Sequence, residues 1–166
     1  MSVVLGIDQS LTSTGWTVLE DGEVIASGII SSSPKDNVYE RINYVSESLV
    51  GVFSEYVPEI IVLEGLPFMS RSNVTRDLAG LLHVCVNSLG VWDCLDTTLH
   101  IVPPTKLKKF ATGSGKHLKV SGENAKEPMF QALPPEVRNR FGKVPKSKGR
   151  YDLADSYWLA KYGESL

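Results

Sequence analysis

The hydrophobic pattern at the start of the chain predicts buried β-structure. Residues 3–7 are uninterrupted apolar or glycine positions, and Asp8 follows them directly. A run of this kind, without polar alternation, is typical of a strand buried on both faces, here 3–8. Two further strand patterns, at 13–19 and 23–30, flank Asp21-Gly22, a dipeptide that favours a tight hairpin turn. The three strands are therefore expected to form an antiparallel meander.

Beyond the meander, helical and strand patterns alternate. Apolar residues recur at helical spacing over 38–56, and "IIVLE" at 60–64 is a second buried strand that ends in a carboxylate. The remaining predicted elements are a helix at 74–89, a strand at 98–102, a short helix at 105–111 and a final helix at 151–162. The segment "TGSGKHLKVSGENAKE" is expected to be flexible, and Pro134-Pro135 and residues 142–149 are expected to interrupt the chain further before the final helix. The order indicates one α/β domain, 1–166, with a five-stranded mixed sheet flanked by helices.

The composition is that of an ordinary soluble globular protein, with 166 residues of which 42% are apolar and 22% charged. No apolar run approaches the roughly 20 residues of a membrane span, and no signal-peptide pattern precedes the first strand. The two cysteines, Cys85 and Cys94, have neither a disulfide framework nor zinc-ligand spacing. These observations favour a cytoplasmic protein without a membrane partner.

Charge is distributed unevenly along the chain. The net charge is −2, yet residues 104–150 contain 12 Lys and Arg residues against three acids. A concentrated basic block in a mildly acidic protein favours a polyanionic partner such as a nucleic acid. The alternative interpretation is a solvated, partly disordered loop with no partner.

Four acids can converge at one edge of the predicted sheet. Asp8 and Glu64 end two strands that can lie side by side. Asp152 and Asp155 share one face of the final helix because they are three residues apart. Converging carboxylates repel one another unless a cation lies among them. An oxygen-only ligand set suits Mg²⁺ or Mn²⁺ rather than zinc.

Each of these acids also has an ordinary structural explanation. Asp8 could cap the turn that follows it, and Glu64 could face solvent at the end of its strand. The two aspartates could stabilise the start of a helix through its dipole. Two buried strands that both end in acids, together with an acidic helix start, favour the metal-site interpretation.

Four motifs in order resemble the RuvC family of Holliday-junction resolvases, within the RNase H-like superfamily. They are "LGIDQSLTSTGW", "VLEG", "PTKLKKFATGSGKHLK" and "DLADSYWLA", and they extend from the first strand to the last helix. The segment "DQSLTSTGW" is more similar to phage-encoded members. The resemblance implies an RNase H-like fold. It also implies a structure-selective endonuclease that cleaves Holliday junctions and other branched DNA and leaves 5′-phosphate and 3′-hydroxyl ends.

The same resemblance implies the composition of the active site. The four acids would bind two Mg²⁺ ions, for which Mn²⁺ could substitute, about 3.5–4 Å apart at the scissile phosphate. Lys108 and Lys119 would assist catalysis by binding phosphates or stabilising charge in the transition state. The protein would act as a two-fold homodimer, because a four-way junction has two strands to cut.

Eight residues are expected to contact the branched DNA. One of them, Phe68, falls close to an aromatic residue that the family uses against bases at the junction. The others are cationic or potentially cationic side chains near the proposed site. The full set is Phe68, Arg71, Lys106, Lys108, Lys109, Lys116, His117 and Lys119.

Two other functions fit part of the pattern. "GIDQSLTSTGW" is also similar to a phosphate-binding loop of the sugar-kinase and actin-like ATPases. A chain of 166 residues, however, cannot supply the second lobe that closes their nucleotide cleft. A catalytically inactive module that binds branched DNA would explain the basic block but not the retention of all four acids.

Overall fold

The computed structural model describes residues 2–66, 73–90, 96–114 and 126–166, and the strands in these ranges form one sheet with helices on both faces. No helix in the described ranges is long and apolar enough to cross a lipid bilayer.

The first three strands form the predicted antiparallel meander. They are β1 (Val3–Asp8), β2 (Ser13–Glu20) and β3 (Glu23–Ser31). Asp21 and Gly22 make the turn between β2 and β3, and both have positive φ angles, 50° and 87°. A two-residue turn of this handedness matches the twist of the flanking strands, and Asp-Gly is among the sequences that adopt it most readily.

The remaining two strands extend the sheet in parallel from β1. β4 (Ile60–Glu64) pairs with β1, and β5 (Thr98–Val102) pairs with β4, which gives the order β3-β2-β1-β4-β5. Ile7 lies opposite Leu63 in the β1–β4 register. Asp8 and Glu64 directly follow this pair. The two acids therefore lie on adjacent strands at the same edge of the sheet. The predicted mixed, five-stranded sheet is confirmed.

Helices cover the two faces of this sheet. They are α1 (Val38–Tyr56), α2 (Asn73–Gly90), α3 (Pro104–Thr112), α4 (Glu127–Gln131), α5 (Pro135–Gly142) and α6 (Arg150–Glu164), with a 3₁₀ turn at Lys146–Lys148. Leu5 and Ile7 pack in the core shared with α1 and α2, whereas Val4 packs in the core shared with α6. This alternation along β1 is the two-residue period of a strand that is covered on both sides.

The stretch before α6 is more regular than its prolines and glycines predict. Pro128 and Pro135 lie in the first turns of α4 and α5, where a missing backbone N–H costs little. Phe130 is 6% exposed and Phe141 is 1% exposed, and both pack in the core beside α6. These apolar side chains fasten the segment to the last helix. The predicted interruptions at Pro134-Pro135 and at 142–149 are confirmed, since they separate α4, α5 and α6, whereas most of the segment predicted to be flexible lies outside the described residues.

Two glycines allow α6 to lie directly on the sheet. A Cβ at Gly6 would be 2.2 Å from the backbone oxygen of Ser156, and a Cβ at Gly15 would be 2.2 Å from the backbone oxygen of Asp152. Side-chain carbons do not approach backbone oxygens this closely, so the sheet and helix are in backbone contact at both points. Gly15 is paired with Asp8 across β1 and β2. The contact therefore brings Asp152 next to the end of β1.

We expect Gly15→Ala to displace the start of α6 from the sheet. An added methyl group in a packed interior typically costs about 1–3 kcal/mol of the free energy of unfolding, and a backbone contact leaves little room for relaxation. The measurement is the unfolding free energy from urea denaturation.

Gly51→Ala is the matched control for this substitution. Gly51 lies inside α1, and a Cβ there meets nothing within 4 Å. Replacing an exposed helical glycine by alanine should raise the free energy of unfolding by roughly 0.5–1 kcal/mol. A similar gain from Gly15→Ala would show that the close approach of α6 to the sheet is unimportant.

Candidate active site

Four acidic side chains converge at the edge of the sheet where β1 and β4 end. Asp8 and Glu64 are the last residues of these strands, and Asp152 and Asp155 come from the first turns of α6. Asp8 and Asp155 are each 4% exposed. The convergence predicted from the sequence is confirmed.

The ammonium group of Lys126 lies among these carboxylates. Its Nζ is 3.2 Å from Asp8 Oδ2, 2.9 Å from Asp152 Oδ1 and 3.0 Å from Asp155 Oδ2. As the side chains stand, no group of three His, Cys, Asp or Glu residues in the described ranges is arranged to hold a metal ion. The cluster is instead arranged around the positive charge of the lysine.

Sequence reasoning missed Lys126. The residue is one of many lysines in the basic block, and 118 positions separate it from Asp8. The available signal is local: Lys126 directly precedes the apolar α4, which packs against the helix that carries two of the acids. Using this signal requires a prediction of α4 from the sequence, and the prolines of this segment make such a prediction difficult.

Burial and mutual repulsion both raise the pKa values of three of the acids, Asp8, Glu64 and Asp155. Desolvation is the larger cause for Glu64, followed by the charges of Asp8 and Asp155, and its pKa rises to about 9. The same two causes raise the pKa of Asp155 to about 7 and raise that of Asp8. Burial opposes the charge on Lys126, but the three nearby aspartates outweigh it and raise the lysine pKa. The cluster therefore favours additional positive charge.

Neighbouring polar groups hold the acids in place but leave acceptors unused. The hydroxyl of Ser13 donates to Asp152 Oδ2 at 2.6 Å, and the side-chain amide of Gln9 donates to the backbone oxygen of Glu64. Among the described residues, no donor reaches the buried Asp155 Oδ1 or Gln9 Oε1. A buried carboxylate oxygen without a donor is a position at which a cation would satisfy the missing interaction.

Helix α3 brings further positive charge to the same edge. Burial lowers the pKa of Lys108, whereas the charge of Asp155 acts in the opposite direction, so the two side chains are within electrostatic range. Lys106 and Lys109 lie on the exposed part of α3, and Lys106 Nζ is 5.2 Å from the centre of the Tyr162 ring. Three of the eight predicted DNA-contacting residues thus belong to one short helix.

The other five predicted DNA-contacting residues, and one of the two predicted catalytic lysines, lie outside the described residues. They are Phe68, Arg71, Lys116, His117 and Lys119, the last of which is also the predicted catalytic lysine. Their roles remain predictions.

Part of the basic block serves the fold itself. Arg138 donates to the backbone oxygen of Gln131, and Arg140 donates to that of Val24. Arg150 donates to the backbone oxygens of residues 142 and 144 at 2.8 and 2.7 Å. These three guanidinium groups of the basic block therefore have structural partners in the protein itself.

Comparison with known proteins identifies the family of the chain. A family model described as crossover junction endodeoxyribonuclease RuvC matches residues 4–121, which include both strand-end acids. The chain belongs to the RuvC family. The RuvC enzyme of Rickettsia bellii (strain OSU 85-389) is 36% identical over 118 residues, covering 68% of this chain and 73% of the relative. The RuvC enzyme of Rickettsia felis is 32% identical over 117 residues, with the same coverage.

Solved structures of RuvC enzymes share this fold over nearly the whole chain. The Thermus thermophilus RuvC structure has a TM-score of 0.67 and 20% identity, covering 95% of this chain and 90% of that one. T. thermophilus RuvC in complex with a Holliday junction substrate has a TM-score of 0.66 and 18% identity, covering 96% and 91%. The yeast mitochondrial Holliday junction resolvase Ydc2 has a TM-score of 0.63 and 16% identity, covering 96% and 76%. The predicted RNase H-like fold is confirmed.

The raised pKa of Glu64 predicts how stability depends on pH without metal. The folded state holds this proton up to about pH 9, whereas the unfolded chain releases it near 4.5. Stability in EDTA should therefore fall as the pH rises from about 4.5 toward 9. Glu64→Gln cannot ionise, so it should weaken this fall and raise the melting temperature above that of the wild type at pH 8.

Thermal unfolding in EDTA between pH 6 and 9 measures this effect. Glu47→Gln removes an exposed carboxylate of α1 and should follow the wild-type profile. Superimposable profiles for wild type and Glu64→Gln would contradict the assignment of a buried, protonated Glu64.

Proposed function

We propose that this RuvC-family chain hydrolyses phosphodiesters of Holliday junctions and other branched DNA in the cytoplasm of a bacterial or phage-infected cell. The observation that carries the proposal is the convergence of four acids at one sheet edge, two of them almost fully buried. A purely structural cluster would not gather this much negative charge, because each buried carboxylate weakens the fold. The family match supports the choice of nucleic-acid hydrolysis.

The residues present fit a site for Mg²⁺, with Mn²⁺ as a substitute and two ions per site. Asp8, Glu64, Asp152 and Asp155 would hold the metal. The buried Asp155 Oδ1 has no donor among the described residues, and the site is made of oxygen ligands, which hard divalent cations prefer. When bound, such ions activate water as a nucleophile and stabilise the negative charge on the leaving oxygen.

The chain's own cations would act on the DNA phosphates. The ammonium of Lys126 lies within 3.2 Å of three carboxylates, so a phosphate that approached these acids would also meet this positive charge. Lys108 is also within electrostatic range of Asp155. Charge held at these points would stabilise the extra negative charge that develops on the phosphate during hydrolysis. We expect cleavage to leave 5′-phosphate and 3′-hydroxyl ends.

The alternative functions have less support. Membership of the RuvC family does not favour a single-lobe ATPase, and the basic residues of α3 beside the acids fit a polyanion better than a nucleotide. An inactive DNA-binding module would have no reason to keep Asp8 and Asp155 buried beside each other, because removing either charge would relieve the repulsion.

We expect Asp8→Asn to abolish cleavage and to retain junction binding. The amide keeps the shape of the side chain but loses the charge of a metal ligand. The loss should exceed the roughly 10–100-fold typical of residues that only support a ligand. The measurement compares four-way, three-way, flap and linear DNA substrates with Mg²⁺, together with binding in EDTA.

Asp36→Asn is the matched control, since Asp36 is exposed in the loop before α1. It should cut as fast as the wild type. Cleavage by Asp8→Asn within tenfold of the wild-type rate would exclude the proposed metal site. Equal cutting of linear and four-way DNA would exclude selectivity for branched structures.

We further propose that the active form is a two-fold homodimer. One acidic cluster can cut one strand, whereas a four-way junction must be cut on two strands at related points to give two duplexes. A two-fold dimer places two identical sites in a symmetric relation. The expected products are duplexes with paired, symmetric nicks that a ligase seals directly. Unpaired cuts, or a monomer in sedimentation at micromolar concentration with bound junction, would contradict this assembly.

A further inference from the structure

The residue that follows Lys126 is held by a cluster of polar contacts outside the acidic site. Glu127 begins α4, and its side chain is 15% exposed. Its carboxylate accepts hydrogen bonds from the Tyr151 hydroxyl and from Gln131 Nε2, the latter at 2.7 Å. Lys146 Nζ lies 3.3 Å from the same carboxylate. We call Glu127, Tyr151 and Lys146 the clasp.

The clasp joins two of the segments that contribute charges to the site. Glu127 is adjacent to Lys126, and Tyr151 is adjacent to Asp152. The Tyr151 ring also makes an edge contact with Phe130 at a centroid distance of 6.2 Å, and Lys146 Nζ lies 5.8 Å from its centre. The contacts of the clasp therefore tie the backbone that carries the lysine to the backbone that carries one of its aspartate partners.

Lys126 needs such support because its side chain alone does not fix its position. A lysine is a point charge on a flexible four-carbon stem, and the loss of rotamer entropy opposes holding it in one place. Its side chain is 41% exposed, so solvent competes for the ammonium. Fixing the backbone at Lys126 limits the positions that its ammonium group can reach.

We propose that the clasp positions the Lys126 ammonium in the acidic cluster, an inference that rests on the proposed nuclease function. Glu127 and Tyr151 do not touch the substrate. They act through Lys126, so their removal should matter only while the lysine is present.

A double-mutant cycle on single-turnover junction cleavage tests this dependence. The variants are Tyr151→Phe, Glu127→Gln, Lys126→Gln and the combination of Tyr151→Phe with Lys126→Gln. Tyr151→Phe keeps the ring contacts and removes only the hydroxyl. It should slow cleavage about tenfold, the equivalent of one hydrogen bond to a charged group. Glu136→Gln, an exposed acid in the first turn of α5, should leave the rate unchanged.

The expected result is non-additivity. The combined variant should cut within threefold of Lys126→Gln alone, because the clasp has nothing left to position. A further loss of more than threefold would overturn the proposal, as would wild-type rates for both Tyr151→Phe and Glu127→Gln. The first result would show that Tyr151 acts independently of Lys126, and the second would show that the clasp does not affect cleavage.

A second readout separates the clasp from the nuclease function. In EDTA, Lys126→Gln leaves the aspartates without their ammonium and should lower the melting temperature. The decrease caused by Tyr151→Phe should be smaller in the Lys126→Gln background than in the wild type. Equal decreases in melting temperature in both backgrounds would overturn the proposed role of the clasp. If the wild type cuts no branched DNA, the proposed function fails, and this stability cycle still decides whether the clasp positions Lys126.

Discussion

The carboxylates of Asp8 and Asp155 can lie buried at one sheet edge only if positive charge or protons accompany them. Each residue is 4% exposed, and desolvation is the largest cause of the raised pKa of both. Without metal, the structure meets this demand with the Lys126 ammonium and with a tendency of Glu64 to stay protonated. The surrounding helices hold these compensating charges in place.

Backbone geometry makes the acidic cluster possible. Parallel pairing of β1 and β4 sets two acids side by side, and the absence of a Cβ at Gly15 allows α6 to approach the same point. The start of α6 is then fixed from the other side by α4 and by the hydrogen bonds of Arg150. A cluster that costs free energy by repulsion is thus stabilised by packing that lies outside it.

Much of this arrangement could be predicted from the sequence because its signals are local. Uniformly apolar strands that end in acids, and a helix with acids three residues apart, place four carboxylates at one edge. Lys126 could not be predicted in this way, because its partnership with Asp8 spans 118 positions and depends on a tertiary contact of α4. Likewise, Arg138, Arg140 and Arg150 donate hydrogen bonds to backbone oxygens. The number of charges in the sequence does not distinguish such arginines from arginines that bind DNA.

The metal-free acidic cluster and a metal-bound one would differ in charge. Metal binding would therefore be coupled to the release of protons. Metal ligands must be ionised, so a metal would have to displace the protons that Glu64 and Asp155 tend to keep. The ammonium of Lys126 also makes contacts with three aspartates that a metal would share. The retained protons would oppose metal loading at low pH, and the lysine would oppose it in the absence of substrate. A DNA phosphate bound at the same edge would add negative charge, which would favour retaining the lysine together with the metal. The same buried carboxylates that destabilise the metal-free protein would therefore make loading responsive to the arrival of DNA.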